Sequence, residues 1–261
     1  MPNQLLDWTA IAALGGILGL LTVAWWIPRT IRNERRYLLE KTRHVAETDA
    51  VELEATVRRL ATQFDVPTPA LRVQPINTPV AYTTSRPAAP LVRTGTANTP
   101  VVVLSTGLIE TVSPAELEAI LAHELAHIVN DDLRLITAIL VPLMTAELLY
   151  EGTSPSDPLD LIGYLLATVA AIGVGVFSRE VAADRAAAIV TGNPAQLAAA
   201  LERLYESEPQ RPSEDLRNHA QVTNAVNFVP TITPERTAGH LWSTHPSLET
   251  RIEELQSVIE D

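Results

Sequence analysis

The sequence predicts an α+β fold joined to about three membrane-spanning helices. Three observations carry that prediction. Short β-branched runs split by Pro, Gly and Asn occupy residues 71–105. Helical patterns with clear start and stop signals flank them on both sides. Three apolar runs interrupt the chain. The 261 residues suffice for one or two domains with a real core. Apolar residues make up 46% of them and charged residues only 19%, a balance that fits partial residence in lipid.

Residues 8–27, "WTAIAALGGILGLLTVAWWI", carry no charge and as a helix would span roughly 30 Å, the thickness of a bilayer core. Trp8 stands at one end and Trp25 and Trp26 at the other, where interfacial aromatics belong. Gly15 and Gly19 would let a second helix approach closely. A cleaved signal peptide would carry basic residues before the run. Here Asp7 precedes it, and Arg29, Arg32, Arg35, Arg36, Lys41 and Arg43 follow, so an anchor is expected. Residues 29–63 read as one long polar helix, stopped by the two prolines around Thr68. Then come the β runs "LRVQPI", "TPVAYTT", "PLVRTG" and "PVVVLS". Ser113-Pro114-Ala115-Glu116 is a helix start, with a Ser cap, Pro in the first turn and an acid three residues after the cap.

Residues 135–149 are apolar but hold Pro142 and Glu147. Residues 161–177 make a better span, with Gly163, Ala167, Ala171 and Gly175 recurring every four residues. The loop between them is acidic, whereas Arg134 precedes the pair and Arg179 and Arg185 follow it. The positive-inside rule then predicts residues 29–134 and 178–261 on the cytoplasmic side of a multi-pass cell-membrane protein, with 135–177 a hydrophobic hairpin whose two ends meet. A helix is expected to about Thr191, stopped by "TGNP", then another over 195–207 and a loop over 208–238. A final helix has Leu248, Ile252, Leu255 and Ile259 on one face.

Net charge and composition narrow the chemistry. A charge of −12 argues against nucleic acid as a partner. Lys41 is the only lysine among 19 basic residues, and acidic excess with scarce lysine suits a surface adapted to high salt; a GC-rich genome favouring arginine codons is the alternative. With no cysteine, any metal must be held by His, Asp or Glu.

"LAHELAHIVN" supplies such ligands. On a helix, His123 and His127 project from one face, as two corners of a zinc tetrahedron require. Glu124 is about 100° round from His123, suited to act as general base on water at the metal. A catalytic zinc needs a third protein ligand and an open fourth position. The place six residues after His127 holds Leu133, so a third histidine is absent there. "SREVAADRAA" offers Glu180, with Asp184 one turn on to hydrogen-bond the non-ligating nitrogen of a ligand histidine. A solvated ion-pair face with Arg179 and Arg185 is the alternative on spacing alone.

From Asn77 to Leu204, and again at "STHPSLETRIEEL", the sequence resembles the HtpX family of membrane zinc metalloproteases, relatives of the CAAX prenyl endopeptidases. The matching pieces are "VVVLSTGLIETVSPAELEAILAHELAHIVNDD", the hydrophobic hairpin and "SREVAADRAAAIVTGNPAQLAAALERL". The resemblance implies a minimal gluzincin fold, one Zn2+ per chain on His123, His127 and Glu180, Glu124 as catalytic base and Asp184 behind a ligand. It also implies a cytoplasmic active site and a part in membrane-protein quality control, with misfolded or damaged membrane proteins as substrates. There are departures: one N-terminal span where the family has two, and "TPVAYTT" in place of its Asn-Ala-Phe-Ala stretch. Val80, Ala81 and Tyr82 on that strand are expected to hold an extended peptide through main-chain groups. His245, in "STHPSL", matches a family motif and is a candidate oxyanion donor, or else a cap for the last helix. His240 and Tyr82 are further oxyanion candidates. The rival readings are a CAAX-type processing protease, which needs more spans, and an inactive zinc-binding scaffold, which needs a closed site. Oligomeric state is left open.

Overall fold

The computed structural model describes residues 3–48, 50–90, 100–132, 179–206 and 246–260. The apolar runs 135–149 and 161–177, the loop between them, the 208–238 segment, His240, His245 and nearly all of "PLVRTG" lie outside the described residues.

Helix α1 runs unbroken over Asn3–Glu40, with Pro28 inside it. The charge-free run and the basic stretch after it are therefore one rod, about 57 Å long at 1.5 Å per residue. Among the residues whose side chains are described, no helix is long and apolar enough to cross a membrane; many side chains of the 8–27 run lie outside that set.

The single helix expected over 29–63 is corrected. The chain leaves α1 at Glu40, forms a two-residue strand β1 (Arg43–His44) and a 3-10 turn over Val45–Glu47, then starts α2 (Glu52–Gln63). Two contacts explain the break. Val45 is fully buried in the core, and Arg72 of the neighbouring strand donates to the carbonyl of Thr42. These tertiary contacts outweigh local helix propensity. At its far end α2 closes at Phe64, and Asp65 takes a left-handed φ of 53° before the prolines arrive.

Strands β2 (Ala70–Gln74), β3 (Ala81–Thr84) and β4 (Val101–Ser105) complete a sheet of order β1-β2-β4-β3. β2 pairs parallel to β4, and β1 and β3 pair antiparallel to their neighbours. β3 is thus an edge strand among the described residues. Side chains alternate between faces along each strand. Val80, Tyr82, Val101 and Val103 face one way and meet Leu38 and Leu39 of α1. Leu71, Val73, Ala81, Val102 and Leu104 face the other way and join the main core. Such two-sided cover explains why β4 is buried at every position.

Behind β4 the chain passes through α3 (Thr106–Thr111) to α4 (Pro114–Val129). Gly107 is required there: its N–H donates to Ile76 carbonyl at 2.9 Å, and a Cβ would stand 1.9 Å from the carbonyl oxygen of Asn77. α4 opens at Ser113 with the expected capping box, Ser113 Oγ accepting from Glu116 N–H and the Glu116 carboxylate from Ser113 N–H. Being apolar nearly all round, α4 becomes the buried centre. α2, β3, α5 (Glu180–Thr191) and α6 (Pro194–Glu206) pack against it, and α7 (Leu248–Glu260) packs in turn on α5 and α6. α5 ends as expected at Gly192, whose φ of 64° glycine adopts without strain.

Candidate metal centre

The site forms where the middle of α4 meets the first turn of α5. His123 and His127, one turn apart on α4, turn their Nε2 atoms to within 2.9 Å of each other. From α5, Glu180 brings Oε2 to 3.4 Å from His123 Nε2 and Oε1 to 3.6 Å from His127 Nε2. The helical face that holds Glu180 was only one of two readings of the sequence; burial of its carboxylate against both imidazoles excludes a solvated face.

The other imidazole nitrogens are already committed. His123 Nδ1 lies 2.8 Å from Asp184 Oδ1, and His127 Nδ1 lies 2.7 Å from Asp132 Oδ2. Each carboxylate favours the tautomer with its proton on Nδ1, which leaves the Nε2 lone pairs facing one another and Glu180. Three electron-rich atoms turned inward without a cation between them repel. Burial by itself would lower the pKa of His123, but Asp184 and Glu180 raise it to about 9. Donors on a tetrahedral ion with bonds of about 2.0–2.1 Å stand about 3.3–3.4 Å apart. The three residues fit such an ion, with all their ligand atoms within 4.8 Å of one another. His127 is 17% exposed and His123 not at all, so solvent reaches the cluster from the His127 side.

Around this focus the structure adds three residues that the sequence did not single out. Asp132 reaches His127 because Asp131, just past the end of α4, takes a left-handed φ of 58° and turns the chain back. Arg179 holds Asp132 in turn, at 2.8 Å, and also donates to the carbonyl of Asn130. Arg251 of α7, almost fully buried, makes two bonds of 2.7 Å to the Asp184 carboxylate and lies 3.4 Å from Glu180. Burial alone would raise the pKa of Asp184; Arg251 and His123 hold it below the ordinary value. Arg251 left a sequence signal, since an arginine stands in the apolar stripe with Leu248 and Leu255. The third is Thr83, whose hydroxyl donates to Glu124 Oε2 at 2.6 Å.

Glu124 is buried beside the imidazoles, and its Oε1 has no hydrogen-bond partner among the described residues. Burial pushes its carboxyl above the ordinary value, while His127, His123 and Thr83 pull the other way. Of the expected peptide-holding residues, Val80, Ala81 and Tyr82 lie on or beside edge strand β3 and are buried. The Tyr82 hydroxyl, however, donates to Leu38 carbonyl on the α1 side of the sheet. It faces away from Glu124, which removes Tyr82 as an oxyanion donor.

This arrangement can be set beside known proteins. The sequence model of Peptidase family M48 matches residues 47–259. The chain belongs to peptidase family M48. Like other members it is a metalloprotease, and its His-His-Glu cluster is compatible with the family's metal. "Protease HtpX homolog 1" of Streptomyces coelicolor is 34% identical over 230 residues, covering 82% of this M48 chain and 72% of its own length. "Protease HtpX homolog 2" of Methanosarcina acetivorans is also 34% identical over 230 residues, covering 82% and 74%. "Protease HtpX homolog" of Moorella thermoacetica is 32% identical over 263 residues, covering 94% and 84%.

Proposed function

We propose that the chain is a zinc-dependent endopeptidase of the cell membrane that hydrolyses misfolded or damaged membrane proteins, with its active site on the cytoplasmic side. The observation that carries the chemistry is the convergence of His123 Nε2, His127 Nε2 and Glu180, with both Nδ1 atoms tied to carboxylates and Glu124 alongside. His123, His127 and Glu180 would hold the ion. When bound, zinc polarises the scissile carbonyl and makes water at the site a nucleophile near neutral pH. Glu124 takes the proton from the attacking water on Oε1 and passes it to the leaving amine. Asp184 and Asp132 keep the imidazoles in the binding tautomer. The edge of β3 holds the substrate as an added strand, and His245 donates to the oxyanion.

Membrane residence rests on the first helix. Leu14, Ile17, Leu18, Leu21 and Trp25 are each 55–66% exposed along α1, an apolar surface that water does not favour. Arg29 lies over the Trp25 ring at 5.2 Å where the charge-free run ends. The proposed organisation is a span over 8–27, cytoplasmic parts over 29–134 and 178–261, and a hydrophobic hairpin over 135–177.

Metal counting tests the ligand assignment. Glu124→Gln should retain one zinc per chain, whereas Glu180→Ala should lose it with the unfolding midpoint recorded alongside. A folded Glu180→Ala protein still carrying one zinc per chain would end the assignment.

A further inference from the structure

Edge strand β3 touches the catalytic machinery through one side chain. Ser105 N–H donates to Val80 carbonyl at 2.9 Å, and Val80 N–H is taken by Ser105 Oγ at 2.9 Å, so the main chain of Val80 faces β4. The antiparallel register runs Ala81↔Leu104, Tyr82↔Val103, Thr83↔Val102 and Thr84↔Val101. Main-chain groups alternate along such a pair. Tyr82 and Thr84 therefore point their N–H and C=O groups at β4, and Ala81 and Thr83 point theirs to the outer edge. Among the described residues of β3, the main-chain groups turned away from β4 therefore belong to Ala81 and Thr83.

The side chains alternate too. Tyr82 turns to α1, and Thr83 turns to α4, where Oγ1 sits 2.6 Å from Glu124 Oε2 and 3.4 Å from the Glu124 carbonyl. A hydroxyl has one proton to give, and the short bond to a carboxylate takes it. Thr83 and Glu124 are 3% and 1% exposed, so water does not compete for that bond. A β-branched side chain has few χ1 choices, which holds the hydroxyl in place. One carboxylate oxygen is thus tied to the strand and the other, Oε1, is left for the reaction.

Resting on the peptidase reading above, we propose that Thr83 is a positioning residue for the general base: its hydroxyl aims the Glu124 carboxylate while its main chain lies on the outer edge of β3, to which that reading assigns the substrate. The strand that sets the height of the scissile bond also sets the height of the base. Thr83→Val keeps shape and removes the donor; Thr83→Ser keeps the donor.

The test compares the full-length zinc-loaded wild type, Thr83→Val, Thr83→Ser and, in case valine disturbs folding, Thr83→Ala, all in detergent on a fluorogenic peptide. In Thr83→Val, kcat should fall about 10- to 100-fold, the range typical of partners that orient a site group. KM and zinc content should hold within about twofold, the pattern of an interaction that matters in the transition state. Thr83→Ser should recover most of kcat. A second readout needs no turnover: the Glu124 carboxylate band, isolated as the infrared difference between each protein and its Glu124→Gln counterpart. It should shift in Thr83→Val and return in Thr83→Ser. Unchanged kcat, a loss confined to KM, no rescue by serine, or an unshifted band overturns the role of Thr83. A zinc-loaded wild type that cleaves nothing while the band shifts overturns the peptidase reading instead.

Discussion

His127 shows how much of a candidate metal site is made by its neighbours. One nitrogen faces His123 and Glu180; the other is 2.7 Å from Asp132, which Arg179 holds from behind. Removing Asp132 frees the imidazole to rotate or to carry its proton on Nε2, both of which cost metal binding. Asp132→Ala is therefore expected to weaken zinc affinity about 10- to 100-fold, measured by competition with a chromophoric chelator. Affinity equal to wild type would show that Asp132 serves Arg179 alone. At this scale the sequence was legible wherever local geometry decides. His123, Glu124 and His127 follow from helix periodicity; spacing left Glu180 and Asp184 beside the alternative of a solvated ion-pair face, and the family resemblance singled them out. Asp132, Thr83 and Arg251 were not legible, because each reaches the site through a turn, a strand register or a distant helix that no local spacing encodes. Arg251 in an apolar stripe was the one available hint.

The element that sets the site is α4, and its start is fixed by Glu116. That carboxylate accepts from Ser113 N–H at 2.7 Å and from Arg203 of α6 at 3.1 Å. Burial alone would raise the pKa of Glu116; Ser113 and Arg203 bring it below the ordinary glutamate value. A carboxyl depressed by folding stabilises above its unfolded pKa, and the gain is lost as pH falls through the folded value. Glu116→Ala should thus lower stability by about 1–2 kcal/mol at pH 7, as lost caps do, and the gap to wild type should narrow in acid. Urea melts at pH 7 and pH 3 check both parts; a gap that widens in acid would contradict them. Helix starts and stops were readable in the sequence, Ser113 and Gly192 above all, because caps are local. The break between α1 and α2 was not, because Val45 and Thr42 leave the helix for partners far along the chain. The sheet order was equally hidden, since parallel pairing of β2 with β4 brings together runs 31 residues apart.

Across the whole molecule, one side of the sheet carries α1 and the other carries the site. Tyr82 and Thr83, adjacent on β3, bind these two sides in opposite directions. Asp132 and Arg179, at the two ends of residues 133–178, are joined at 2.8 Å, so the chain enters and leaves that segment beside His127. The proposed membrane hairpin would then meet the protease part at the candidate metal site itself, as the proposed membrane-protein substrates would require. The claim on which all of this rests is that Glu124 performs zinc-dependent hydrolysis. It is tested by cleavage of an unfolded polypeptide in detergent at high salt, zinc-loaded wild type against zinc-loaded Glu124→Gln, before and after chelation. The account predicts cleavage by wild type that stops on chelation and returns with zinc, and a rate at least about 100-fold lower in Glu124→Gln at equal zinc content. Wild-type cleavage by Glu124→Gln, or cleavage indifferent to chelation, would contradict it.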